Sequence, residues 1–361
     1  MQSRTPFLLK LVIKNFRNIS ELGIDLSPHL NLFVGQNGQG KTNCLHAIAL
    51  ACSLRPLQSL QNTDLIKHEQ NRAELLAQFS DFSLSLEIGP QGKKANIDGK
   101  NIKSALTLME RIPIVSFIPE ELLMITGAKS LRRRALDAVT GSLYFEHFAS
   151  LKAYEKIVSH RNFVLKSWPL DQQTLKTFDQ LLINEGALIM HQRLRALAAL
   201  DDLFASSVKN ILGPFYSGAL SYAVNEAVIR NFSLADLKAL IYEKSRQYHT
   251  AEMARKVTLF GPHLDDVLFL LNGHDAKNFA SRGQMRAMVL AFKLAHMFAV
   301  QKIREHAPIV ILDDIVSELD AVKKENLIDV VKNLDTQAFF SATDIEAFGS
   351  SSLDLKVYSL D

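Results

Sequence analysis

Residues 35–43 read GQNGQGKTN, and their spacing can hold phosphate. Gly35, then four residues, then Gly40-Lys41-Thr42 fit G-x-x-x-x-G-K-[ST], the phosphate-binding loop. Gly35, Gln36, Asn37, Gly38, Gln39 and Gly40 offer backbone N–H groups to phosphate oxygens, with no Cβ at the glycines to obstruct them. Lys41 can reach β and γ phosphates, and the Thr42 hydroxyl can ligate Mg²⁺. The chain from Asn43 onward would point a positive helix end at the same anion.

Two later stretches could complete such a site. In PIVILDDIVSELD, residues 308–320, an apolar run ends at Asp313-Asp314. A strand delivering Asp313 would hold the Mg²⁺ shell, and Asp314 could orient or deprotonate an attacking water. The plain alternative is a strand that ends in a solvated acidic turn. Upstream, Ser281-Arg282-Gly283-Gln284 opens an apolar helical pattern running to residue 300. A serine and a glycine at a helix start leave a hydroxyl and free N–H groups, a second anion site. The plain alternative here is an ordinary cap.

These residues need particular elements behind them. Leu30–Val34 reads as a strand before the loop, and TNCLHAIALACSL as a helix with an apolar face after it. FLLKLVI, near the start, is short, contains Lys10 and lacks a small-residue cleavage site, so it reads as a strand and not as a signal peptide. No apolar stretch is long enough to span a bilayer. The chain of 361 residues is 47% apolar and 22% charged, ordinary for a globular protein, and its net charge of +3 says little about partners. Cys44 and Cys52 suit a reduced cytosol and exclude a disulfide framework.

The order of loop, S-x-G-Q helix, apolar strand with LDD, and then SELD resembles the ABC-type ATPases, including their chromosome-maintenance and repair branch. That resemblance implies that Ser281, Gly283 and Gln284 act in trans, with Ser281 touching the γ-phosphate bound to the opposite subunit. It makes residues 317–320 the D-loop, with Ser317 and Asp320, and places Thr343 where many transporter ATPases carry a switch histidine.

Further stretches resemble the RecF family of bacterial recombination mediators. They are LVIKNFRNISELGIDLSPHLNLFVGQNGQGKTN, IVSFIPEELLMITGAKSLRRRALDAV, KAYEKIVSHRNFVLK and LFGPHLDDVLFLLNGHDAKNFASRGQMRAMVLAFKLA, in the family's order. His46 stands in place of a glutamate common in the family's loop helix, Leu264 in place of arginine, and Arg282 in place of glutamine. The stretch around Gln58 matches the family loosely. Arg17, in NFRN, either reaches the nucleotide or caps a strand, and the resemblance favours the nucleotide.

The resemblance implies an α/β fold: an ABC-type P-loop ATPase domain built from both chain ends, residues 1–118 and 256–361, with a mostly helical lid or arm inserted at 119–255. It implies ATP and Mg²⁺ as cofactors and a slow, DNA-stimulated hydrolysis. It also implies an ATP-dependent homodimer, DNA held through its backbone, and recombination-mediator partners that help a recombinase onto single-stranded gaps. The setting would be the cytoplasm, in DNA repair, replication, recombination and the SOS response.

The densest basic cluster, Lys129, Arg132, Arg133 and Arg134, is the candidate DNA contact. Its alternative is a solvated, salt-bridged helix face. His263, Asp265 and Asp266 in GPHLDD lack a second ligand cluster and read as a structural or DNA-facing turn. The rival function from another class is the motor subunit of a transporter, which would need a membrane partner. A nucleotide-gated nuclease would need a separate acidic metal cluster that the sequence does not offer.

Overall fold

The computed structural model describes residues 5–58, 60–314, 321–334, 336–345 and 355–360. It divides into two compact units, residues 1–121 with 300–361, and residues 122–299.

The first unit holds β1 (Leu8–Phe16), β2 (Ile19–Asp25), β3 (Leu30–Val34), α1 (Lys41–Ser53), α2 (Asn62–Leu65), β4 (Ala73–Phe79), β5 (Ser83–Gly89), β6 (Gly92–Ile97), β7 (Lys100–Ile102), α3 (Leu106–Arg111) and β8 (Ile114–Phe117). The second holds α4 (Lys129–Leu143), α5 (His147–Lys166), α6 (Gln172–Leu212), β9 (Gly218–Val224), β10 (Ala227–Ile229), α7 (Leu234–Arg255), β11 (Asp266–Leu271), β12 (His274–Asp275), α8 (Ala276–Phe279) and most of α9 (Arg282–Arg304). The chain then returns to the first unit with β13 (Ile309–Leu312), α10 (Ala321–Asn333), β14 (Ala338–Ala342) and β15 (Leu355–Ser359).

The first unit is built on two sheets. One is antiparallel, six strands in the order β2-β1-β4-β5-β6-β7. The other is parallel, five strands in the order β15-β3-β14-β13-β8. β13 and β14 are buried along their whole length, and β3 nearly so. They carry near-continuous apolar runs because both faces of a parallel sheet are covered.

α1 joins one core with residues of both sheets, including Leu11, Leu75 and Leu86 on one side and Phe33, Ile311 and Phe339 on the other. The expected single apolar face on this helix is therefore corrected: Cys44, Leu45, Ala47, Ile48, Leu50 and Ala51 are all buried, and the helix is apolar nearly all round. Each buried Leu or Ile contributes about 1.5–3 kcal/mol by leaving water, so the helix that opens the phosphate loop is fixed by packing. The Gln337 amide ties the sheets together, donating to the Leu8 and Ser27 carbonyls (both 2.7 Å) while its oxygen accepts from the Leu8 N–H (2.8 Å).

The insert is mostly helical, as expected, and carries two strands as well. β9 and β10 lie within 119–255, and β9 pairs antiparallel with β11, whose residues 266–271 lie beyond it. That pairing places residues 256–299 in the same compact unit as the helices, and the two units divide at 299/300. Buried ion pairs stitch this unit. Arg161 is bonded to Glu252, Asp179 and Thr258, and Arg193 to Asp137, Tyr222 and the Pro262 carbonyl. No helix among the described residues is long and apolar enough to cross a membrane.

Candidate nucleotide site

Three parallel strands deliver the site at their C-terminal ends, where open α/β sheets hold ligands. β3 runs into the loop, β13 ends at Asp313, and β14 between them carries Ser341. The loop needs its glycines. Gly40 has φ of 108°, in the left-handed region, and a Cβ on Gly35 would sit 2.7 Å from the Leu360 carbonyl oxygen.

Lys41 is buried, and its Nζ donates to the carbonyls of Gly35 (2.6 Å) and Gln36 (3.0 Å). The ammonium is thus curled inside the loop that it would share with phosphate oxygens. The Gln39 side chain folds back to accept from the Gln36 N–H. Asn37, Gly38 and Gln39 lie exposed at the loop tip.

Thr42 Oγ1 donates to Asp313 Oδ1 at 3.0 Å, joining residues 271 apart in sequence. Ser341 Oγ donates to the same oxygen at 2.7 Å and accepts the Asp314 N–H at 2.8 Å. Burial pushes the Asp313 carboxyl above the usual carboxylate range, opposed by the hydrogen bonds from Ser341 and Thr42. A buried carboxylate beside a threonine hydroxyl is a pair of hard oxygen donors, which suits Mg²⁺.

Two contributors escaped the sequence reading. Ser341 sits in a plain apolar strand with no motif around it. Asn18 lies next to Arg17, and its amide donates to the Gly38 carbonyl (3.2 Å) and accepts from Asn43 Nδ2 (2.6 Å), clasping the loop from outside. Its place at the end of NFRN is the signal that could have found it, and a Cβ on Gly40 would fall 3.3 Å from its amide. Arg17 adopts φ of 50°, and its N–H bonds to the Leu65 carbonyl. Its Nη1 and both ring nitrogens of the fully buried His46 have no hydrogen-bond partner among the described residues. Burial, aided by the Arg17 charge, pushes His46 down to about 4.

In the second unit Ser281 caps α9. Ser281 Oγ accepts from the Gln284 N–H (3.2 Å), and the Gln284 side chain accepts from the Ser281 N–H (2.8 Å). Ser281, Arg282 and Gly283 are exposed at that helix start. Thr343 is exposed just after β14. Ser317 and Asp320 lie outside the described residues.

The basic cluster is corrected. Arg132 is buried, paired with Asp266 (2.8 and 3.0 Å) and bonded to the carbonyls of Met124, Ile125 and Gly127. Arg133 donates to the Asp265 carbonyl. Both guanidiniums are spent on the fold of β11 and its entry turn, which leaves Lys129 and Arg134 as the exposed cations of the group. His263 Nδ1 meets the Tyr154 hydroxyl (2.8 Å) and Asp265 accepts from Tyr222 (2.7 Å), so GPHLDD is a structural turn. Leu264 is 41% exposed, and Gln58 donates to Glu120 (2.6 Å).

A phosphate loop joined through Thr42 to a carboxylate on a parallel strand, beside an antiparallel sheet and with a helical insert, is the build of an ABC-type ATPase. The family model described as RecF/RecN/SMC N terminal domain matches residues 7–359. The chain is 32% identical over 343 residues to the DNA replication and repair protein RecF of Geotalea daltonii, covering 94% of this chain and 93% of that protein. It is 31% identical over 359 residues to the protein of the same name from Streptococcus pneumoniae, covering 98% and 97%. The solved recombination mediator protein RecF-ATPrS of the RecFOR pathway shares the fold, with a TM-score of 0.90 at 24% identity over 100% of this chain and 98% of that one. An Smc head domain from Pyrococcus furiosus shares it more distantly, with a TM-score of 0.54 at 15% identity over 99% and 94%. The chain belongs to the RecF branch of the RecF/RecN/SMC family.

Proposed function

We infer that this chain is an ATPase of DNA replication and repair that works in the RecFOR manner, with the nucleotide held on the 35–43 loop. The single observation that carries this is the 3.0 Å bond from Thr42 to Asp313, which assembles the two halves of a nucleotide site from opposite ends of the chain. Likeness over nearly the whole length lies with RecF proteins and leaves the transporter motor without support.

In this reading Gly35 to Asn43 bind the phosphates, and Lys41 turns from its carbonyls to the β and γ oxygens. Arg17, whose Nη1 has no hydrogen-bond partner among the described residues, joins them. Thr42 and Asp313 hold Mg²⁺, which supplies charge neutralisation between the phosphates when bound. Asp314 orients the attacking water. Ser281, Gly283 and Gln284 reach the nucleotide of a second copy, so that ATP closes a homodimer and hydrolysis opens it. Phe279, beside this helix start, is 73% exposed, the kind of aromatic that a partner surface covers. Ser317 and Asp320 would serve the same interface.

As a functional partition, residues 1–118 and 256–361 supply the ATPase groups and 119–255 the lid or arm. DNA is held through its backbone by Lys129, Arg134 and cations that the dimer brings together, in the cytoplasm, where mediator partners and a recombinase act. Sedimentation tests this. ATP, and not ADP, should double the mass of the chain, and duplex DNA should cosediment with the ATP form alone, less so as salt rises. A monomer in ATP that binds DNA regardless of nucleotide would refute it.

A further inference from the structure

Ser341 has no place in the motifs, yet its hydroxyl is bonded both to the Asp313 carboxylate and to the Asp314 backbone. It is fully buried on β14, between β3 and β13. Its single proton goes to Asp313 Oδ1 (2.7 Å) and its oxygen accepts the Asp314 N–H (2.8 Å). One hydroxyl therefore fixes the carboxylate's rotamer and the orientation of the next peptide. That peptide needs holding: Asp314 has φ of 50°, left-handed for a residue with a Cβ, a conformation that surrounding contacts must impose. The Ser341 bond also leaves Thr42 as the only other hydroxyl bonded to Oδ1 in the described residues, so Asp313 keeps its place when Thr42 turns to a ligand.

We propose that Ser341 is a positioning residue for hydrolysis, which aims Asp313 at the Mg²⁺ side of bound nucleotide and Asp314 at the attacking water. This rests on the ATPase reading above. Loss of a hydrogen bond to a charged partner costs on the order of tenfold to a hundredfold in the function it supports. A buried serine that merely satisfies itself would alter melting alone.

The test measures ATP binding by the full chain with EDTA and with Mg²⁺, beside steady-state hydrolysis. Ser341→Ala should bind ATP in EDTA as the parent chain does. It should lose about tenfold of the affinity that Mg²⁺ adds, and kcat should fall about tenfold or more with a smaller change in KM. Ser341→Thr, which keeps the hydroxyl, should restore both. Ser341→Cys, close to serine in volume but a weak donor, should behave as Ser341→Ala and gives the same comparison if that variant folds poorly. Full retention of the Mg²⁺ gain and of kcat in Ser341→Ala would overturn the proposal. So would an affinity loss equal in EDTA and Mg²⁺, or a folded Ser341→Thr no better than Ser341→Ala. A parent chain that gains nothing from Mg²⁺ would overturn the nucleotide-site reading itself, and this proposal with it.

Discussion

The Thr42 hydroxyl donates to Asp313 Oδ1 at 3.0 Å and so closes one site from the two ends of the chain. Asp313→Ala should therefore remove the Mg²⁺-dependent part of ATP affinity. Asp314→Asn should bind Mg·ATP normally and hydrolyse it roughly 10²–10⁴-fold more slowly, the usual scale for losing a positioned acid–base group. Single-turnover hydrolysis beside equilibrium binding separates the two. Normal turnover by Asp314→Asn would remove that residue from the chemistry.

Lys41 is held inside the loop by the carbonyls of Gly35 and Gln36. Lys41→Ala should leave the fold intact and weaken ATP binding by about a hundredfold, since charged hydrogen bonds to phosphate are lost. Asn18→Ala loosens the loop from outside and should cost less, about tenfold for one or two hydrogen bonds. Titration calorimetry distinguishes these outcomes, and equal losses would place Asn18 among the phosphate contacts.

Arg132 and Arg134 are neighbours with opposite duties. Arg132→Ala takes the bidentate guanidinium from buried Asp266, leaving the half-exposed Lys129 ammonium at 3.9 Å as its counter-ion among the described residues, and should destabilise the protein by about 3 kcal/mol. Arg134→Glu, on the exposed face, should change stability by less than about 0.5 kcal/mol. It should weaken DNA binding and lower its salt dependence. Melting curves and salt-titrated DNA binding check both.

His46 is buried without a hydrogen-bond partner among the described residues, with its pKa pushed down to about 4 by burial and by Arg17. The fold thus favours the neutral ring, while the unfolded chain takes up a proton near 6.5. Stability present above about pH 6.5 should be lost as pH falls toward 4 and then level off, by roughly 3 kcal/mol from this residue. His46→Leu should flatten that part of the profile relative to the parent chain. Parallel profiles in urea titrations would contradict it.

Much of the site could be read from the sequence because its chemistry is local. Glycine spacing, Lys41 and Thr42 act within a single turn, and an apolar run ending in two aspartates declares a buried parallel strand. The strand at Leu30–Val34 came out with its expected bounds. What stayed hidden depends on pairing across the chain. β9 meets β11 only across β10 and the long helix α7, so its strand pattern was lost among helical ones. Arg132 looked like a surface cation because its partner, Asp266, is 134 residues away. Ser341 acts through a hydroxyl that no motif marks, and Asn18, though inside NFRN, acts through an amide whose loop contacts only the fold creates.

The central claim is that the γ-phosphate site is completed by Ser281 of a second copy. Ser281→Arg forfeits the α9 cap, worth about 1 kcal/mol, too little to unfold the chain. Alone it should bind ATP with normal affinity, stay monomeric and hydrolyse nothing, while Lys41→Ala alone should bind ATP about a hundredfold more weakly and hydrolyse nothing at ATP levels that saturate the parent chain. Mixed in equal amounts, the two inactive chains should recover hydrolysis, limited to one working site per heterodimer: Lys41 from the Ser281→Arg chain facing Ser281 from the other. A mixture no more active than its separate components, or an S281R chain with full turnover by itself, would contradict the shared site.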